Sequence, residues 1–238
     1  LGRHTRLEQS DKAVQRWKGR HCDRSFDLRV GWPAQKQEQW GEGLWKAAEL
    51  EPDHSSTYSL TVEPGTPLAK AIAEKFLPAP PPQEMVAEMF LISGQALSGK
   101  GFYRYEVSNF AKPGHESLHN LKYWRRQSYL GLGPSAHSFD GHRRWANLSS
   151  VRQWASALAS KAEPRAFTEE PDAEAIRLET VMLGLRLPEG LPEEFLMSAP
   201  SLDKYLKSGH LIHSEGRIRP TEKGLLIADR LAVDLTSD

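Results

Sequence analysis

Apolar residues recur at Trp40, Leu44, Trp45, Ala47 and Ala48, a spacing that places them on one stripe of a helix over 38–50. Glu51-Pro52-Asp53 ends it. A second stripe, Met85, Val86, Met89, Phe90 and Leu97, predicts a helix over 83–98, entered from a Pro-rich bend at 78–82 and stopped by glycine at 99–101. Around these helices the apolar runs shorten to strand length. They are Phe26 to Val30, stopped by Gly31-Trp32-Pro33; Ser56 to Val62, closed by Glu63-Pro64-Gly65-Thr66-Pro67; and Tyr103 to Val107. A polar helix is expected over 8–20. Three strands separated by helices predict parallel pairing with right-handed crossovers. Closing a barrel takes about eight strands, so the expected fold is α/β with an open sheet, or an incomplete (β/α) barrel contributing its share to a larger one.

Beyond Ser138 the pattern turns helical, over 150–160, 172–186 and 193–207, with Pro164, Pro171, Pro188 and Pro192 marking the connections. The tail gives Leu211-Ile212-His213, a Ser214-Glu215-Gly216 turn, and Arg217-Ile218-Arg219. A last helix follows, opened by Thr221 and carrying Leu225, Leu226, Leu231 and Leu235. Helices with one small hairpin predict a winged-helix-like second domain. The boundary is placed between residues 1–145 and 146–238.

Composition narrows the function classes. The 238 residues are 39% hydrophobic with seven tryptophans, enough to bury a core. Thirty-one basic and 31 acidic residues cancel, so no global field draws the chain to nucleic acid or an anionic surface. No apolar run approaches the roughly 18 residues of a spanning helix, and Leu1-Gly2-Arg3-His4 leads into polar sequence. The expectation is a soluble, cytoplasmic protein without an integral membrane segment. The single cysteine, Cys22, excludes an internal disulfide, a Cys-rich zinc site and an iron–sulfur cluster held by this chain's own thiolates. No His-Glu-x-x-His pair, Gly-x-Ser-x-Gly elbow or Walker-type loop is present, which argues against hydrolase and kinase chemistry. In the tail Lys204, Lys207, Arg217, Arg219 and Lys223 are interleaved with Asp203, Glu215 and Glu222, as in a packing domain rather than a nucleic-acid surface.

Three places carry candidate chemistry. His119-Asn120-Leu121-Lys122-Tyr123-Trp124 gathers an imidazole, an amide, a phenol and an indole within six residues. An imidazole ligates haem iron or a metal, and the rings stack on a flat apolar ligand; the same residues also fit a loop packed by its aromatics around a satisfied histidine. Gly131-Leu132-Gly133-Pro134-Ser135-Ala136 resembles a phosphate loop but lacks the flanking strand, helix and acidic residue of a dinucleotide site, so it signals close backbone approach to another element or to a ligand. Asp27 is placed at the C-terminal end of a parallel strand, where β/α folds bind ligands, with Thr61 on the same rim. A local cap or ion pair accounts equally well for Asp27.

Taken together, Leu60-Thr-Val-Glu-Pro-Gly-Thr-Pro-Leu68, Tyr105-Glu-Val-Ser-Asn-Phe-Ala111, His119-Asn-x-x-Tyr-Trp124 and Tyr129-Leu-Gly-Leu-Gly-Pro-Ser-Ala-His137 resemble the HemW family. These are haem chaperones of the radical S-adenosylmethionine (SAM) superfamily, similar to oxygen-independent coproporphyrinogen III oxidase. The resemblance implies that the strands are later strands of a partial (β/α)6 barrel of the radical SAM type, followed by the family's C-terminal domain. It implies haem-side roles for His119, Asn120, Tyr123 and Trp124, with His119 as a candidate iron ligand. It also implies SAM contacts at Asp27, Thr61, Ala136 and His137. The cofactors of an intact member are haem, SAM and a [4Fe–4S] cluster, and its partners are haem or porphyrin and haem-accepting proteins. The alternatives are part of a SAM-dependent porphyrinogen oxidase and a non-catalytic partner-binding module. The family's Cys-x-x-x-Cys-x-x-Cys and glycine-rich SAM motifs are absent. The family's Asp-Leu-Ile-x-Gly-Leu-Pro-x-Gln-Thr reads Asp27-Leu-Arg-Val-Gly-Trp-Pro-Ala-Gln-Lys36 here, with Arg29 in a strand expected to be buried.

Overall fold

The computed structural model describes residues 12–14, 16 and 23–237. Leu1-Gly2-Arg3-His4, Cys22 and most of the helix expected over 8–20 lie outside the described residues. Contacts between Cα atoms divide the chain into two compact units, with the break between Glu116 and Ser117.

The first unit contains β1 (Ser25–Val30), α1 (Gln37–Glu49), β2 (His54–Ser59), α2 (Pro67–Ala73), α3 (Gln83–Ser98), β3 (Tyr103–Arg104) and β4 (Asn109–Ala111). Its four-stranded sheet has the order β1-β2-β4-β3. Only β1 and β2 run parallel; β4 is antiparallel to both β2 and β3. The all-parallel pairing expected from sequence is therefore corrected. The run read as one strand, 103–107, pairs for two residues and then turns back, with the Tyr105 amide donating to the Asn109 carbonyl at 3.1 Å and the Asn109 amide to the Glu106 carbonyl at 3.3 Å. Ser108 and Asn109 are turn formers, and they outweigh the β propensity of Tyr103, Tyr105 and Val107. The second strand begins at His54 rather than Ser56, because a buried His-Ser-Ser run carries no apolar signal.

Helices α1 and α3 cover one face of this sheet. Trp40, Leu44 and Ala48 pack with Met89 and Leu97 over Val30 and Phe110. The Trp40 indole donates to the Met89 carbonyl at 2.9 Å and also meets Ser93 Oγ at 3.1 Å, so its polar edge is satisfied inside the core. Arg104 is buried on this side between the rings of Phe90 and Phe110, at 3.9 and 4.3 Å from their centroids, and donates to the Val107 carbonyl at 2.6 Å. Arg29, in contrast, is exposed. Strand β1 alternates between exposed Ser25, Asp27 and Arg29 and the inward Phe26, Leu28 and Val30, so no buried charge needs compensation there.

The second unit contains α4 (Leu118–Trp124), β5 (His137–Phe139), β6 (Arg144–Asn147), α5 (Val151–Ala159), β7 (Arg165–Glu169), α6 (Ala173–Gly184) and β8 (Leu191–Pro192). It continues with α7 (Leu202–Lys207), β9 (Leu211–Ser214), β10 (Arg217–Pro220), α8 (Glu222–Leu225) and α9 (Ala228–Thr236). Two antiparallel sheets, β5-β6-β7 and β8-β10-β9, accompany the helices. The hairpin at 211–220 forms as its turn residues predict, and Thr221 caps α8 by accepting from the Gly224 amide at 3.1 Å. The single helix expected over 193–207 is instead a 3-10 turn, Glu193–Phe195, and the separate α7, because Pro200 interrupts the helical ladder. The core of this unit joins Val181 and Leu185 to Ile218, Leu231 and Leu235. The whole is a mixed α/β fold with no closed barrel among the described residues, and none of their helices is long and apolar enough to cross a membrane.

Candidate functional site

In the first unit, residues paired in register share a face, so Ser25, Asp27 and Arg29 stand beside His54, Ser56 and Tyr58 on the side of the sheet opposite the helices. His54 is held at both ring nitrogens, by Ser25 Oγ at 2.8 Å and by the Tyr105 hydroxyl at 2.7 Å. Burial pushes its imidazole below the ordinary histidine value, against the opposing charge of Asp27. A neutral ring has one donor and one acceptor nitrogen, and the two hydroxyls satisfy both.

Asp27 is the third residue of β1, level with Ser56, and not at the strand's C-terminal end as the sequence suggested. It is exposed and forms no ion pair among the described residues. Thr61 is also exposed, two residues past the end of β2, so the two positions are not level along the sheet.

Glu106 lies in the Tyr105–Ala111 motif and has no role assigned from sequence. The structure buries it completely, at the turn between β3 and β4. Burial pushes its carboxyl above the usual range, with the backbone amides of Ser108 and Asn109 and the Arg104 charge pulling the other way. An acidic residue between two strand formers, Tyr105 and Val107, is the signal that marks it.

In the second unit the His119–Trp124 stretch is a helix, not a loop. Ser117 caps α4 by accepting from the Asn120 amide at 3.3 Å. His119 and Tyr123, four residues apart, are both exposed on one face, and the Tyr123 hydroxyl lies 3.1 Å from His119 Nε2. Their rings meet edge-on at 4.9 Å, and Tyr123 meets Tyr129 at 4.7 Å. Leu118, Leu130 and Leu132 flank these rings in sequence and are 77%, 70% and 85% exposed, unusual for leucine side chains grouped so closely. By helical spacing Asn120 and Trp124 lie on a different face of α4. The six-residue motif is thus divided between two surfaces.

The glycine-rich stretch resolves into close backbone approach within the protein. A Cβ at Gly131 would sit 2.1 Å from the His137 carbonyl oxygen, and the Gly131 amide donates to Ser138 Oγ at 2.9 Å. Ala136 accepts from the Asn147 amide at 2.9 Å, and exposed His137 begins β5 with its ring against Phe167 at 5.9 Å. The four positions that the resemblance pairs with SAM are distributed, Asp27 and Thr61 in the first unit, Ala136 and His137 in the second. No group of three or more His, Cys, Asp or Glu residues able to hold a metal ion occurs among the described residues.

No protein-family model matches the chain. It is 35% identical over 217 residues to the heme chaperone HemW of Bacillus subtilis, covering 87% of this chain and 57% of that protein. It is 32% identical over 227 residues to the heme chaperone HemW of Escherichia coli, with the same coverage of 87% and 57%. Among solved structures it is similar to Escherichia coli coproporphyrinogen III oxidase (HemN), described as a radical SAM enzyme, with a TM-score of 0.73 at 18% identity, over 99% of this chain and 60% of that one. The chain spans little more than half the length of these relatives.

Proposed function

The chain is HemW-like over 87% of its length, and from that premise we propose that it is the haem-handling part of a haem chaperone. The observation that carries this reading is the exposed His119–Tyr123 pair on α4, with Tyr129 against it and exposed leucines at 118, 130 and 132 close by in sequence. An accessible imidazole on an aromatic and aliphatic surface suits a flat apolar macrocycle, whose own four nitrogens leave the protein only an axial position to fill. A lone histidine without neighbouring metal ligands fits that division of labour.

On the first unit, Asp27 and Thr61 would face SAM, with the free Asp27 carboxylate accepting from ribose hydroxyls; Ala136 and His137, in the second unit, are the other positions that the resemblance pairs with SAM. The residues present do not fit the [4Fe–4S] cluster, since one cysteine cannot supply three thiolates. No radical step is assigned to this chain. The sequence division into a half-barrel, 1–145, and a winged-helix-like C-terminal domain, 146–238, belongs to the same proposal, as do a cytoplasmic setting and haem-accepting partner proteins.

Titrating the protein with hemin and following the Soret band tests the reading. Saturable binding at one equivalent, weakened roughly tenfold or more in His119→Ala, is expected for a lost axial ligand with its contacts. Equal binding by parent and variant would refute the assignment of His119, and no saturable binding would refute the haem reading.

A further inference from the structure

Helix α4 is seven residues long and buries only Leu121, short of the roughly 12–15 residues at which a helix holds its own shape in water. Packing from outside the helix has to hold its exposed face in place. The chain leaves α4 through Arg126, whose φ of +52° is uncommon for a residue with a Cβ, and whose amide donates to the Tyr123 carbonyl at 3.0 Å. From there the Arg126 guanidinium reaches α6. Its Nε donates to Glu179 Oε2 at 2.8 Å, while Arg144 of β6 donates to the other oxygen of the same carboxylate.

Glu179 thus ties the end of α4 to both α6 and β6. The three side chains are between 18% and 27% exposed, so their charges are screened less than those of a pair in open solvent. Both guanidinium groups also lie against the Phe139 ring, at 4.7 and 5.6 Å from its centroid. Phe139 and Tyr129 exchange backbone hydrogen bonds at 2.8 and 2.9 Å, and Tyr129 sets its ring edge-on to Tyr123, whose hydroxyl meets His119. Two routes therefore run from Glu179 to the His119–Tyr123 face. One follows the backbone through Arg126, and the other follows the packing of Phe139 and Tyr129. Removing the Glu179 charge loosens both at once, because it leaves two guanidinium groups over one ring without that carboxylate.

We propose that Glu179 is a positioning residue for His119. It touches neither ring of the pair, and acts by holding the end of α4 and Tyr129 where together they orient Tyr123 and His119. The ligand rests on the haem reading above, and the coupling rests on these contacts alone.

Glu179→Gln, which keeps the shape and removes the charge, is the test. The first arm needs no haem. Nuclear Overhauser contacts between the Tyr123 and Tyr129 rings, and amide hydrogen exchange from Leu121 to Trp124, are compared in parent and variant below both melting temperatures. Loss of the ring contact with exchange about fivefold faster supports the coupling, and a parent-like pattern overturns it. The second arm titrates hemin. Glu179→Gln is expected to weaken binding roughly fivefold and to shift or broaden the iron–imidazole band, yet to change affinity by less than about twofold in a His119→Ala background. An equal loss with and without His119 would mean that Glu179 supports the fold at large, and would overturn the assignment. If the parent takes no hemin, the haem reading fails and the first arm alone decides the coupling. Should Glu179→Gln not fold, Tyr129 carries the test. Tyr129→Leu is expected to weaken hemin binding and Tyr129→Phe, which keeps the ring, to recover most of it; equal binding by the two overturns the proposal.

Discussion

The Tyr123 hydroxyl lies 3.1 Å from His119 Nε2, one helical turn along α4, so one of the two imidazole nitrogens is already engaged in a hydrogen bond. Ligation through Nε2 has to displace that bond, which is worth about 0.5–1.5 kcal/mol. Tyr123→Phe keeps the ring against Tyr129 and removes the competitor. Hemin affinity measured at the Soret band is expected to hold or rise, up to roughly tenfold. Weaker binding in the variant would mean that the hydroxyl itself contacts the ligand.

That division of the motif was only half legible in the chain. Helices over Gln37–Glu49 and Gln83–Ser98 carry clean apolar stripes, and the structure reproduces them to within a residue or so. The seven residues of α4 are too short for a periodic signal and hold one buried apolar position, Leu121, so their pattern reads as a loop. Strand β7 has every residue exposed and therefore no alternation to detect. The turn at 105–108 was hidden because Tyr105 and Val107 have strong strand propensity. What the sequence did expose was the chemistry of the residues, and what it could not show was which faces they share.

Glu106 gives the fold a pH dependence of definite sign. A carboxyl whose folded value is raised costs nothing below the ordinary glutamate range, where it is protonated in both states. The cost sets in as pH rises past that range and is complete above the raised folded value. Glu106→Gln, which preserves shape and removes the charge, is expected to raise Tm at pH 8 by at least about 2 °C, the shift that ~1 kcal/mol produces in a chain of this size. The gain should shrink toward pH 4. Thermal melts of parent and variant across that interval check it, and a loss of stability at pH 8 would mean that the ionised carboxylate is an essential partner of the turn.

Gly190 stands at a second sensitive point, directly before β8. Its φ is +58°, and an added Cβ would lie 2.0 Å from the Ile218 carbonyl oxygen. Because the obstruction is backbone of β10, it cannot rotate aside. Gly190→Ala is expected to destabilise the second unit by about 2 kcal/mol or more in urea unfolding, through strain and a forced shift of the β8–β10 pair. A near-neutral change would show that this pairing is loose in solution.

Haem handling at α4 turns on His119 meeting iron. Resonance Raman spectra of the hemin complex read the axial ligand directly. A histidine-ligated haem in the parent, replaced in His119→Ala by a spectrum without the iron–imidazole signature, is the predicted result. An unchanged ligand signature in the variant would contradict it.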